Sequence, residues 1–262
     1  MRISKRIALA ASAAVLALTM GTASAQEALK IKIGSEGAYP PFNFLTADGQ
    51  LQGFDIDIAK ALCEEMKAEC EFVTQDWDGM IPALKAGKFD AVIASMSITP
   101  ERLKQVDFTN KYYNTPPAIA VPKDSPIKGM TKEDFAGKTI GTQTGTTHFI
   151  YSEKTFTDSE VKAYPTAEEY KLDIANGRLD AINDDIIAIT EFLKSEEGAA
   201  CCKMLGTVKP VEEIHGKGAG IAIRKGETAL AEKFNAAIDA IRANGKYEEI
   251  NSKYFDFDAY GS

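Results

Sequence analysis

The sequence predicts an α/β fold of two similar lobes, each a mostly parallel sheet flanked by helices. Three observations carry that reading. Strand and helix signals alternate along the chain, the rhythm of parallel strands joined by helical crossovers. A phrase also recurs, "LKAGKFDAVI" at Leu84 and "IANGRLDAIN" at Ile174. Each copy is a helix end, a glycine stop, a basic residue and a strand opening on an aspartate. Finally, two segments interrupt the rhythm, "YYNTPPAIAV" (Tyr112 to Val121) and the glycine-rich "IHGKGAG" (Ile214 to Gly220). Two crossings place both ends of the chain in one lobe, 26–116 with 215–262, and the middle, 117–214, in the other.

Each element has its own signal. Lys5 and Arg6 precede an apolar run, Ile7 to Leu18, and Ala23-Ser24-Ala25 follows, the pattern of a secretory signal peptide over 1–25. The run is too short for a transmembrane helix, and no cysteine stands at the cleavage point to carry a lipid. "LKIKIG" is the first strand of the mature chain. Extended pairing must stop by Tyr39, because Pro40 and Pro41 cannot donate to a sheet ladder. From about Asp55 to Lys67, Ile58, Ala59, Leu62, Cys63 and Met66 recur at helical spacing. "CEFVTQ" is a second strand, "DGMIPALKAG" a short helix stopped by Gly87, and Phe89 to Ala94 a continuous apolar strand. The second unit repeats this with a strand at Gly137 to Gln143, a helix from about Thr147, and a strand at Arg178 to Asn183. Gly218 to Gly226 is one more strand, before a long amphipathic helix from about Thr228 to Asn244.

Removing residues 1–25 takes away three basic residues and no acids, so the formal charge falls from −8 to −11. A surface that acidic repels nucleic-acid phosphates and excludes that class of partner. The cysteines fit an oxidising compartment. Cys63, late in a predicted helix, and Cys70, just inside the next strand, pair across a short loop worth about 2–3 kcal/mol. The adjacent Cys201 and Cys202 have two readings, a strained ring or two free thiols, since a trans peptide holds Cα atoms about 3.8 Å apart. Cofactor and catalytic signatures are missing. There is no Walker lysine, no three-glycine dinucleotide fingerprint and no G-x-S-x-G elbow. His148 and His215, the only histidines, lack metal-ligand spacing, and His215 reads as part of an exposed connector.

Ligands of such sheets sit beyond the carboxyl ends of the strands, and three ends carry chemistry. The first holds Glu36 and Tyr39. The second, "ASMSITPER", ends a buried strand in Ser95 and Ser97, then offers Thr99 as an N-cap and Pro100 as first helical residue. That puts Arg102 in the first turn, where the helix dipole disfavours a cation. A surface arginine offset by Glu101 is the plain reading. An arginine held beside free helix N–H groups to bind a carboxylate is the sharper one. The third end, "TQTGTTHF", sets Thr146 and Thr147 at a helix start behind Gly145. Trp77 ends a strand between two aspartates, where it is either core or the wall of a cleft.

"IGSEGAYPPFNF", "GFDIDIAKALCEEM", "DWDGMIPALKAGKFDAVIASMSITPER" and "YFDFDAYG" resemble the periplasmic amino-acid-binding proteins of ABC importers, solute-binding protein family 3. Among these the chain is most similar to the lysine/arginine/ornithine- and histidine-binding subfamily. The resemblance implies the type II fold of two α/β lobes on a two-segment hinge, and no cofactor, metal or catalytic activity. It implies a monomer in the periplasm that binds an amino acid and delivers it to the membrane permease. Arg102 would take the ligand α-carboxylate, helped by Ser97 and Thr147. The α-ammonium would meet Ser95 and an acid of "DAINDD", Asp185 by ungapped counting, with Asp184 as the alternative. Tyr39 and Trp77 would stack on the ligand side chain, and Gln143 and His148 would line the other wall. Glu36 stands where the subfamily keeps an acid for the far end of a cationic side chain. It is longer than the usual aspartate, and Ala94 replaces a serine that would touch the ligand. The resemblance implies a basic L-amino acid as ligand (arginine, ornithine, lysine or histidine, with arginine favoured), arginine-derived opines as the alternative and a dehydratase-like enzyme as the rival class.

Overall fold

The computed structural model describes residues 28–261; the expected signal peptide lies outside them. Thirteen strands are described: β1 Leu29–Ser35, β2 Ala38–Tyr39, β3 Asn43–Leu45, β4 Leu51–Gln52, β5 Ala68–Thr74, β6 Ala91–Val92, β7 Val106–Tyr113, β8 Pro117–Pro122, β9 Thr139–Gln143, β10 Glu160–Tyr164, β11 Ala181–Asp185, β12 Cys202–Thr207 and β13 Ala219–Arg224. They form two five-stranded sheets, β5-β1-β6-β13-β7 and β10-β9-β11-β8-β12, and a small antiparallel sheet β2-β3-β4. In the first large sheet four strands point one way and β13 runs against them. In the second, β8 is the single reversed strand, at the same place in the order.

Both faces of the inner strands are covered, which is why β8, β9, β11 and β13 are buried without alternation, whereas the edge strands β5 and β10 keep exposed residues. Ile31, Ile33, Ile221 and Ile223 pack with Ile58 and Leu62 of helix Phe54–Glu65 and with Phe234 and Ile238 of helix Thr228–Ala243. Val92 and Ala222 face the other way, onto Met80 and Leu84 of helix Met80–Lys85 and onto Phe89. A Cβ at Gly34 would sit 2.8 Å from the Phe89 ring, so only glycine lets that ring cross β1. In the second lobe Ile119, Val121 and Ile140 pack on Phe135 and Phe156, while Ala118, Ala120 and Ile182 face Tyr170 and Ile187.

The first inter-lobe segment is shorter than the sequence suggested, and the second begins earlier and is longer. Tyr112–Tyr113 belongs to β7 and Pro117–Val121 to β8, leaving 114–116 as one connection. Pro117 is tolerated because it is the first residue of its strand, paired with Asp185. The other connection, 208–218, contains the short helix Glu212–His215. Cys63 and Cys70 are bonded, tying the end of helix Phe54–Glu65 to β5. Cys201 and Cys202 are also bonded, so the ring holds.

Candidate functional site

The carboxyl ends of β1, β9 and β11 point into one inter-lobe cleft, joined by the segment after β6. Here a cavity of about 30 Å³ lies between the lobes. Nine of the ten expected site residues line it: Glu36, Tyr39, Trp77, Ser95, Ser97, Arg102, Gln143, Thr147 and His148. The acid from β11 on this wall is Asp184, not Asp185.

Arg102 is placed by its helix start. Thr99 caps helix Pro100–Leu103, its hydroxyl oxygen accepting the Arg102 N–H at 3.2 Å. The guanidinium then turns inward and is only 9% exposed. It donates to the carbonyl of Ser97 at 3.0 Å and, across the cleft, to that of Gly145 at 3.3 Å. Its Cζ lies 5.2 Å from the Trp77 ring centroid. Trp77 therefore walls the cleft while its other side borders the Met80–Leu84 cluster. Burial pushes the Arg102 pKa down to about 10, so it stays cationic at neutral pH. Among the described residues, no carboxylate forms an ion pair with it.

Ser95 has a φ of 55°, in the left-handed region that few non-glycine residues occupy. Its N–H donates to the Tyr112 oxygen at 2.9 Å and its hydroxyl to Asp55 Oδ2 at 2.9 Å. Asp55 is wholly buried and also accepts from Asn43 Nδ2 and the Tyr112 hydroxyl, both at 2.8 Å. Burial raises its pKa to about 6, against those hydrogen bonds, which lower it. Ser97 is held by a bridge to Ala219.

The acids gather opposite Arg102. Glu36 accepts a 2.6 Å bond from Gln143 Nε2 on the other lobe, and Gln143 also donates to the Pro165 carbonyl at 2.9 Å. Burial, with smaller contributions from Asp184, Asp76 and Asp78, pushes the Glu36 pKa up to about 7. Asp184 accepts from the Tyr39 hydroxyl at 2.7 Å, from the Tyr170 hydroxyl and from the Asp185 N–H at 2.7 Å. His148 Nε2 stands 3.4 Å from it. Burial lowers the His148 pKa, so the ring is held neutral. Asp185 instead caps helix Ile186–Lys194, accepting the Ile187 N–H at 2.8 Å and the Thr115 hydroxyl. Burial raises its pKa to about 7, and it lines an adjoining cavity of about 60 Å³ with His215.

His215 departs from the exposed connector expected of it. It is 8% exposed, and its Nδ1 accepts the Val211 N–H at 2.9 Å, closing its own helix. Sequence reasoning missed Asp55, whose partners come from three distant segments. It also missed the cap role of Thr146, which accepts the Phe149 N–H at 3.1 Å and so sets Thr147 at the cavity.

The family model for bacterial extracellular solute-binding proteins, family 3, matches residues 31–257. The chain belongs to that family. It is 47% identical over 261 residues to the L-arginine-binding protein of Pseudomonas aeruginosa, covering 98% of this chain and 99% of that one. To ABC transporter arginine-binding protein 1 of Escherichia coli it is 39% identical over 253 residues, 96% and 99% of the two chains. A solved Salmonella typhimurium periplasmic binding protein, described for its high arginine specificity, superposes with a TM-score of 0.79 at 36% identity. That match covers 87% of this chain and all of the other. The two α/β lobes are thus the family's fold.

Proposed function

We propose that this family member is the periplasmic substrate-binding subunit of an ABC importer, capturing a basic L-amino acid, arginine first, for a membrane permease. The observation that carries this is the charge layout of one cleft. A buried guanidinium, Arg102, with no acidic partner among the described residues, shares the cleft with two acids, Glu36 and Asp184. A zwitterion with a cationic side chain complements all three. Arg102 with Ser97 and Thr147 takes the α-carboxylate, as bidentate arginine–carboxylate pairing favours. Asp184 and Ser95 take the α-ammonium. Glu36 takes the guanidinium, exchanging the Gln143 amide for a cation, while Tyr39 and Trp77 flank the aliphatic stem. The arginine-binding relatives support the ligand class. The reading includes a periplasmic monomer freed of residues 1–25; among the described residues no helix is long and apolar enough to cross a membrane.

The lobes are 26–116 with 215–262 and 117–214, hinged at 114–116 and 208–218. Ligand contacts to both halves favour the closed form. A thermal-shift series tests the function. Arginine at about a hundred times its Kd adds roughly 2.7 kcal/mol to stability. Arginine should raise the midpoint most, followed by ornithine and lysine, with glutamate and glutamine inert. A larger shift with glutamate, or with an arginine opine, would overturn arginine as the ligand.

A further inference from the structure

Asp55 lies behind the cleft, fully buried at the start of helix Phe54–Glu65, and is not itself a residue of the cavity wall. Its carboxylate is nonetheless the hub of that wall. An ionised carboxylate can only accept hydrogen bonds, so the Ser95 hydroxyl must spend its single proton on Asp55 Oδ2, 2.9 Å away. Ser95 lines the cavity, and its hydroxyl oxygen then has lone pairs to offer and no hydrogen. Such a group welcomes an ammonium and gives a carboxylate nothing. The same residue is fixed a second time, since its N–H ends on the Tyr112 oxygen and the Tyr112 proton ends on Asp55 Oδ1. These bonds hold Ser95 in its left-handed backbone conformation.

The hub reaches the other end of the cleft as well. Asn43 donates to Asp55 Oδ2 at 2.8 Å, and its own Oδ1 accepts the Gly37 N–H at 2.8 Å. Gly37 follows Glu36, so one buried carboxylate braces both the serine and the loop that carries the outermost acid.

From this geometry we infer that Asp55 is a positioning residue for ligand selection, committing Ser95 to act as a hydrogen-bond acceptor for the ligand's α-ammonium. The inference rests on the amino-acid-binding function proposed above. It separates two classes of ligand that share the carboxylate and the side chain: those with an α-amino group and those without. An asparagine at 55 would face donors on every side. It must turn an N–H toward either Ser95 or Tyr112, and both of those hold residue 95.

The test is calorimetric titration with two ligands, arginine and 5-guanidinopentanoate, which is arginine without its α-amino group. Wild type should prefer arginine. Failure of wild type to bind arginine at all would sink the proposed function, and this inference with it. With that binding in hand, Ser95→Ala should weaken arginine roughly tenfold or more, the loss of a hydrogen bond to a charged group. It should leave the des-amino ligand within about twofold. Asp55→Asn should give the same pattern, and adding Ser95→Ala to it should cost little more. A purely structural Asp55 would weaken both ligands alike. Equal losses for the two ligands in Asp55→Asn, or a full Ser95→Ala effect persisting on that background, would overturn the inference. Should Asp55→Asn fail to fold, Ser95→Ala alone still decides against it if both ligands weaken equally.

Discussion

Holding a guanidinium out of water without a carboxylate is costly, because only part of its lost hydration is returned by the Ser97 and Gly145 carbonyls. Arg102→Ala should therefore split two properties. Affinity for every α-amino-acid ligand should fall at least a hundredfold, since breaking a buried ion pair costs about 3–5 kcal/mol. The ligand-free melting transition should move by no more than about 1 kcal/mol, the worth of ordinary hydrogen bonds. Calorimetry and a thermal melt check the two halves. Glu36 gives a pH signature. Its pKa of about 7 means that it is half protonated near neutrality before ligand arrives. A cationic side chain needs it ionised, so binding must expel the proton. Arginine affinity should fall as pH drops below 7, by up to about tenfold per unit. Titrations in two buffers of different ionisation enthalpy should report proton release near pH 6.5. Glu36→Gln should abolish that release, weaken arginine and spare citrulline. Both residues were legible because each breaks a local rule, a cation in a helix's first turn and an acid at a strand's open end. Asp55 breaks none, as an acid in the first turn of a helix is ordinary.

Strand geometry explains what counting along the sequence could not. Side chains of β11 alternate between faces, so Ile182 and Asp184 share one side and Asp185 turns to the other, against Thr115. A slip of one residue changes the face entirely. Asp185→Ala should accordingly act on folding. Losing the cap of helix Ile186–Lys194 and stranding the Thr115 hydroxyl should cost about 1–3 kcal/mol in urea unfolding, with affinity nearly intact. Asp184→Asn should do the reverse, weakening arginine far more than it alters the urea midpoint. Large losses of affinity in Asp185→Ala with a normal midpoint would restore Asp185 as the ammonium partner. The Cys63–Cys70 link is a second element-scale device. Substituting both cysteines by alanine should lower stability by about 2–3 kcal/mol. Most helices and central strands were readable because their apolar runs are long and bounded by glycine. The pieces that escaped have other causes. Strands β2 and β4 are two residues each, and β8 carries prolines at both ends that read as a linker.

At the scale of the molecule, the lobes are joined across the cleft by bonds from Gln143 to Glu36, Tyr39 to Asp184 and Arg102 to Gly145. Each of these meets a group that the proposed ligand also addresses, so capture and closure draw on the same side chains. The strand order has a different consequence. The second sheet is built wholly from β8 to β12, one continuous stretch, whereas the first has its β6 and β7 separated by β13. A chain ending at Thr207 would hold every strand of the second sheet and lack the piece that joins β7 to the rest of the first. Hydrogen exchange on that truncated chain should find β9 and β11 protected and β7 open. During synthesis, therefore, the lobe made first is the lobe finished last. Its opening segment stays pliant until the strand beginning at Ala219 has been made. The order of the strands thus builds a delay into the folding of the lobe that the ribosome makes first.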